Sequence, residues 1–215
     1  MSENIVSETS IYAADGTLAH AVAAKVLRAH PNDAASNYIG ERGMLASKLN
    51  RADTDAIQEY VDFCLSLPEM RAIEMSVPIG HITGEQGAQG TIDYLAHDQK
   101  KLWIVDYKHG RGVRVDSYDN PQLELYALGA LDYLDLHPEI VELCIYQPRA
   151  RASSSTLMTP AQLEEFRAQV RKAADATREP DAPVVPGPHQ CRWCPAAQKS
   201  APLELQCDKA WRKVP

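Results

Sequence analysis

Leu102-Trp103-Ile104-Val105-Asp106-Tyr107-Lys108 decides how this chain is read. An apolar, β-prone run ends in an acid and an amine two positions apart. Residues i and i+2 of a strand point to the same face, so Asp106 and Lys108 project together. Thirteen residues upstream of Asp106, Gly90-Thr91-Ile92-Asp93-Tyr94 carries a second acid. The polar stretch Asp98-Gln99-Lys100-Lys101 between the two runs predicts a β-hairpin. Hydrolysis of a phosphodiester needs an activated water, neutralised phosphate charge and help for the leaving oxygen. Asp93 and Asp106 offer hard oxygen ligands for Mg²⁺ or Mn²⁺. Lys108 is placed to orient or deprotonate the water or to face the phosphate, and the Tyr107 carbonyl can complete the coordination sphere. Alone, an acid-x-lysine on a strand is most often a solvated face or a salt bridge. Here the run before it does not alternate as a solvated face would.

Working outward from the hairpin, helical spacing of Leu18, Val22, Val26 and Leu27 predicts a helix over Thr17–Ala29, with Asp15 or Thr17 as its cap. A second helix is expected over Thr54–Leu67, stopped by Pro68. Ile73–Ile79 alternates as a strand, and the glycine-rich Gly80–Gly90 reads as a loop. The two hairpin strands are placed at Gly90–His97 and Leu102–Lys108. Pro121–Leu136 has proline at a first helical position and Asn120 or Asp119 to cap it. A buried strand follows at Val141–Gln147, and Ser153–Met158 can pair with it. Thr159-Pro160-Ala161-Gln162 opens a long helix to about Thr177 with a capping box. Residues 179–189 hold four prolines and one glycine and read as an extended linker. The expected architecture is a mixed central sheet flanked by helices, α/β or α+β. Residues 1–178 form the core and residues 179–215 a linker with a cysteine-bearing tail.

The bulk properties exclude little. At 215 residues, 45% hydrophobic and 24% charged, the chain supports one substantial core. No apolar stretch nears the roughly 18 residues of a membrane span. Met1–Ser10 lacks the basic start and apolar stretch of a secretory signal, so a cytoplasmic location is expected, the host's if a phage encodes the chain. The net charge of −7 argues against non-specific coating of nucleic acid, yet Lys108–Arg114 is locally basic. Arg111 and Arg114 would meet backbone phosphates there.

Other polar residues recur at useful places. His20 follows Gly16-Thr17-Leu18-Ala19 on the first helix. A lone histidine on an amphipathic helix is usually a surface or satisfied core residue, while an imidazole ligand would favour Mn²⁺. Gln122 and Tyr126 stand at i and i+4, so they share a helix face; the ordinary reading is a surface pair, the functional one a clamp on a water or phosphate. Glu74 is either an exposed strand residue or a third carboxylate beside the metal.

In order, these segments resemble the RecB-type branch of the PD-(D/E)xK nucleases. That branch has a histidine on an early helix after Gly-Thr, a Gly-x-x-Asp strand, an Asp-x-Lys strand and a Gln-x-x-x-Tyr helix. The stretch Gly90–Leu131 is similar to a group of phage and prophage proteins with this fold, related to the CRISPR-associated RecB-like nucleases. The resemblance implies a restriction-endonuclease-like core. It implies that His20, Asp93, Asp106 and the Tyr107 carbonyl bind metal, that Lys108 is catalytic, and that Gln122 and Tyr126 support the site and the DNA.

Cys191-Arg192-Trp193-Cys194 with Cys207 suggests metal in a reducing compartment. Relatives often carry a four-cysteine iron–sulfur cluster, with one cysteine near the N-terminus and three in Cys-x2-Cys-x5-Cys. Here the third of these positions is Ser200 and no cysteine precedes Cys64. The set is therefore incomplete, and a degenerate clasp packing Trp193 and Leu203 onto the core is expected instead. Cys64 and Cys144 read as core residues. The expected function is a metal-dependent deoxyribonuclease, an exonuclease on DNA ends in phage recombination or replication, with DNA and a recombination protein as partners. The rivals are a non-catalytic DNA-end or partner-binding module and a structure-selective endonuclease. Sequence leaves polarity and oligomeric state open.

Overall fold

A computed structural model describes residues 11–68, 70–192, 194–197 and 207. The elements run α1 (Ile11–Ala29), α2 (Arg51–Leu65), β1 (Arg71–Pro78), α3 (Gly80–Thr83), β2 (Gln89–His97), β3 (Lys101–Tyr107), α4 (Pro121–Leu134), β4 (Ile140–Tyr146), β5 (Ser154–Met158), α5 (Pro160–Arg178) and α6 (Pro188–Arg192). The sheet order is β1-β2-β3-β4-β5. The β3–β4 pair is parallel, and the other three pairs are antiparallel. This is a mixed five-stranded α/β sheet with flanking helices, consistent with a restriction-endonuclease-like core. No helix among the described residues is long and apolar enough to cross a membrane.

Two hydrophobic layers follow from strand alternation. Val105 and Tyr107 of β3 pack with Val22 and Val26 of α1 and Ile57 and Tyr60 of α2. Leu102 and Ile104 point the other way, against Leu123 and Leu128 of α4 and Leu163 of α5. Burying both faces explains why β3 lacks an alternating polar pattern. The hairpin forms as expected: the Asp98 carboxylate accepts the Lys100 and Lys101 amides at 2.7 and 2.8 Å and closes the turn.

Several boundaries differ from the sequence expectation. Helix α1 begins at Ile11, so Asp15 and Thr17 lie inside it and cap nothing. The Thr17 hydroxyl instead donates to the Ala13 carbonyl one turn back at 3.0 Å. Helix α2 starts at Arg51 because Asn50 and Asp53 form a capping box. The loop expected at Gly80–Gly90 holds the one-turn helix α3. Asn120 caps α4, and Asp135, in left-handed conformation, follows its end at Leu134. The Thr159–Gln162 capping box of α5 is present.

The chain divides into two compact units, Ser10–Asp175 and a second formed by Met1–Thr9 with Ala176–Pro215. Within the second, the Cys207 amide donates to the Ala196 carbonyl at 2.8 Å. Trp193, Ser200 and Leu203, which the clasp reading invoked, lie outside the described residues.

Candidate metal centre

The alternation of β1 and β2 breaks where the acids sit. Ile73 packs on the α1–α2 side, whereas Met75, two residues on, packs on the α4–α5 side. In β2, Ile92 packs on the α4–α5 side and Tyr94 on the α1–α2 side. Regular strands keep i and i+2 on one face, so both strands rotate between these positions. The β1–β2 register pairs Ile73 with Tyr94 and Met75 with Ile92, leaving Glu74 opposite Asp93. Glu74 takes φ 51°, in the left-handed region that a non-glycine residue enters only under constraint. Arg28 of α1 donates to the neighbouring Ile73 carbonyl at 3.1 Å and ties this part of β1 to the helix.

His20 stands above the two acids. Its Nδ1 lies 3.2 Å from Asp93 Oδ1 and 3.9 Å from Glu74 Oε1. One ligand atom from each of His20, Glu74 and Asp93 falls within 4.8 Å of the others, and no other such group occurs among the described residues. Burial lowers the affinity of His20 for its proton, but the hydrogen bond to Asp93 and the charges of Asp93, Asp106 and Glu74 outweigh it, and its pKa is raised. Glu74 is pushed above the ordinary carboxylate range by burial and by Asp93. A groove of about 800 Å³ opens onto the trio, lined also by Thr17, Lys25 and Arg28.

Asp106 belongs to an adjoining group. The ladder between β2 and β3 runs from His97↔Leu102 to Tyr94↔Val105. The Tyr107 amide then donates to Asp93 Oδ2 at 2.7 Å rather than to a backbone carbonyl, fixing Asp93 against β3. Asp106, 4% exposed, has Lys108 Nζ 2.7 Å from Oδ2 and the Gln122 amide donating to Oδ1 at 3.0 Å. Gln122 also donates to the Tyr126 hydroxyl at 3.1 Å, and its Oε1 accepts from Lys108 at 3.5 Å. Burial raises the pKa of Asp106; the Lys108 charge opposes this and Asp93 adds to it, with a net rise.

The donor set of one imidazole and two carboxylates could hold a metal ion. The structure thus gathers His20, Glu74 and Asp93 in one cluster and Asp106, Lys108, Gln122 and Tyr126 in the next. Arg111 and Arg114 lie on the exposed loop after Lys108 and make no ion pair among the described residues. Cys64 and Cys144 are buried core residues. Cys191, Cys194 and Cys207 are half-buried, and none of the cysteines is in a disulfide.

Residues 1–209 match the family described as "Protein of unknown function (DUF2800)". This chain belongs to that family. Among solved structures, the one described as "Crystal structure of SSO0001" matches at 14% identity with a TM-score of 0.31. That match covers 58% of this chain and 57% of the other, so this chain spans little more than half of that structure's length.

Sequence reasoning missed a second set of buried polar residues behind the site. The Tyr107 ring stacks on Tyr60 at 4.5 Å, and its hydroxyl meets His109 Nδ1 at 2.8 Å. His109 Nε2 lies 3.6 Å from Asp53, which Arg149 approaches at 3.1 Å. Gln147, 1% exposed, was also missed. The available signal was its place just past the C-terminal end of a buried parallel strand, where α/β folds put functional groups.

Proposed function

We propose that this DUF2800 member is a metal-dependent nuclease that hydrolyses DNA phosphodiesters, acting as an exonuclease on ends during phage recombination or replication. The observation that supports this reading best is the convergence of His20, Glu74 and Asp93 beside the Asp106–Lys108 pair. His20, Glu74 and Asp93 would hold Mg²⁺ or Mn²⁺, with Asp106 and the Tyr107 carbonyl as neighbouring oxygen donors. A bound divalent cation supplies an acidified water and neutralises phosphate charge.

The remaining work falls to the chain's own groups. Lys108, paired with Asp106 at 2.7 Å, presents its ammonium to the attacking water or a phosphate oxygen. Gln122 donates to Asp106 and accepts from Lys108, and so holds the pair together. Tyr126 holds Gln122 in turn. A module that only binds DNA ends has no need for a lysine aimed at the same carboxylate that adjoins the cation trio.

The test is incubation of linear and circular DNA with Mn²⁺. Wild type should degrade linear DNA, and Asp106→Ala and Lys108→Ala should each lose about 10²-fold or more in rate. Absence of cleavage by wild type, or undiminished cleavage by either variant, would sink the proposal. Equal cleavage of circular DNA would replace the exonuclease reading with an endonuclease.

A further inference from the structure

The strand β4 ends at Tyr146, and the next side chain, Gln147, turns under the segment that follows Lys108. Its Nε2 donates to the Gly110 carbonyl at 3.0 Å and the Val113 carbonyl at 2.8 Å. Its Oε1 accepts from the Val115 amide at 3.2 Å. A glutamine amide offers two donors and two acceptor lone pairs, so three of four are spent on one loop. The opposite amide orientation would face an oxygen to two carbonyls, so the network fixes it. The far end of the loop is held separately: the Ser117 amide donates to Ser154 Oγ at 3.0 Å, and the Ser117 hydroxyl meets Thr156 Oγ1 at 2.9 Å.

Six residues between β3 and α4, Gly110 to Val115, would otherwise be a surface loop with two glycines. Instead its backbone is fastened to buried groups while Arg111, Val113 and Arg114 stay exposed. Tight backbone with free cationic side chains is a phosphate-contact arrangement, since such contacts set where a nucleic-acid strand lies. We infer that Gln147 is a positioning residue for the proposed nuclease: it fixes the Gly110–Val115 loop so that Arg111 and Arg114 hold backbone phosphates of the strand next to Lys108. This rests on the nuclease reading for its substrate class, but its test reads binding rather than cleavage.

The full chain is titrated with a fluorescein-labelled single-stranded DNA, followed by anisotropy, with Ca²⁺ in place of Mn²⁺ and across a salt series. Arg111→Ala with Arg114→Ala should flatten the slope of log K against log salt by about 1.5, near 0.7–0.9 for each phosphate contact. Gln147→Met should weaken binding about tenfold and speed hydrogen exchange at the Val115 amide. Placed on the double-arginine variant, Gln147→Met should cause no further loss of affinity, because it acts through those side chains. Gln147→Glu keeps the acceptor and loses both donors, and stands in if Gln147→Met does not fold. The inference is overturned if the Gln147 and arginine effects simply add, if the arginine variant binds like wild type, or if wild type binds no DNA. Binding that follows the expected pattern without cleavage would leave it standing while removing the nuclease reading.

Discussion

Glu74 holds φ 51° inside a strand, a conformation that costs a non-glycine residue about 1–3 kcal/mol. It also faces Asp93, opposed only in part by the charges of His20 and Arg28. Glu74→Gly relieves both burdens, so the metal-free protein should melt no lower than wild type, while Mn²⁺ affinity falls at least tenfold. Parallel melting curves and metal titrations check this; a clear loss of stability in the variant would contradict it. At Gly90 the constraint is steric. A Cβ there would sit 2.4 Å from Tyr126 Cε1 and 2.7 Å from Cδ1. The tyrosine ring must shift, withdrawing its hydroxyl from Gln122 and loosening Gln122 on Asp106. Gly90→Ala should therefore cost about 1–3 kcal/mol in stability and lower the cleavage rate more than Tyr126→Phe does, measured under one set of conditions. Of the site residues, Asp106 and Lys108 were legible because a strand's period of two forces i and i+2 together, and Asp93 because it sits on the neighbouring hairpin strand. In sequence Glu74 stands between an exposed strand residue and a third carboxylate, because its placement beside Asp93 depends on a backbone reversal that composition does not encode. The need for glycine at position 90 comes from the ring of Tyr126, which the local sequence does not reveal.

At the scale of elements, the site exists because β1 and β2 both switch faces between Ile73 and Met75 and between Ile92 and Tyr94. The hairpin, the long helices and the buried β4 were readable from period, caps and prolines. The start of α1 was not: Asp15 and Thr17 suggested a boundary, but tertiary burial of Ala14, 3% exposed, carries the helix through them. Behind β3, the N-terminus of α2 is joined to the turn at Pro148–Ala150 and to His109 through Asp53. Burial and the Arg149 charge hold His109 down at about 4 against an ordinary value of 6.5, with Asp53 opposing. Between these values the unfolded chain binds this proton and the folded chain does not. Stability due to this group is therefore complete above pH 6.5 and is lost as pH falls toward 4, by up to about 1.4 kcal/mol per unit. Denaturant midpoints from pH 7 to 4.5, in EDTA, should fall less steeply for a folded His109→Gln variant than for wild type; identical slopes would refute the assignment. The sequence hid this network because Asp53, His109 and Arg149 are distant in the chain and each reads alone as a surface residue.

For the whole molecule, a net charge of −7 is compatible with a nucleic-acid enzyme because the charges are sorted. Glu74, Asp93 and Asp106 lie on the neighbouring strands β1, β2 and β3, while Arg111 and Arg114 stand on the loop after β3. The α/β architecture was legible from the order of elements, and the strand order with its one parallel pair followed from short connections everywhere except across α4. The central claim is that α1, β1 and β2 build one cation site that serves Lys108. A ligand that binds only the folded state stabilises it by about 2.7 kcal/mol at a hundred times its Kd. Calorimetric titration with Mn²⁺, followed by thermal melting of each sample, tests this most directly. The account predicts saturable binding to wild type with a raised Tm, loss of both in Asp93→Asn, and retention of both in Lys108→Met, which should bind the metal yet cleave no DNA. Binding that survives Asp93→Asn unchanged, or a wild type that takes up no Mn²⁺, would contradict it.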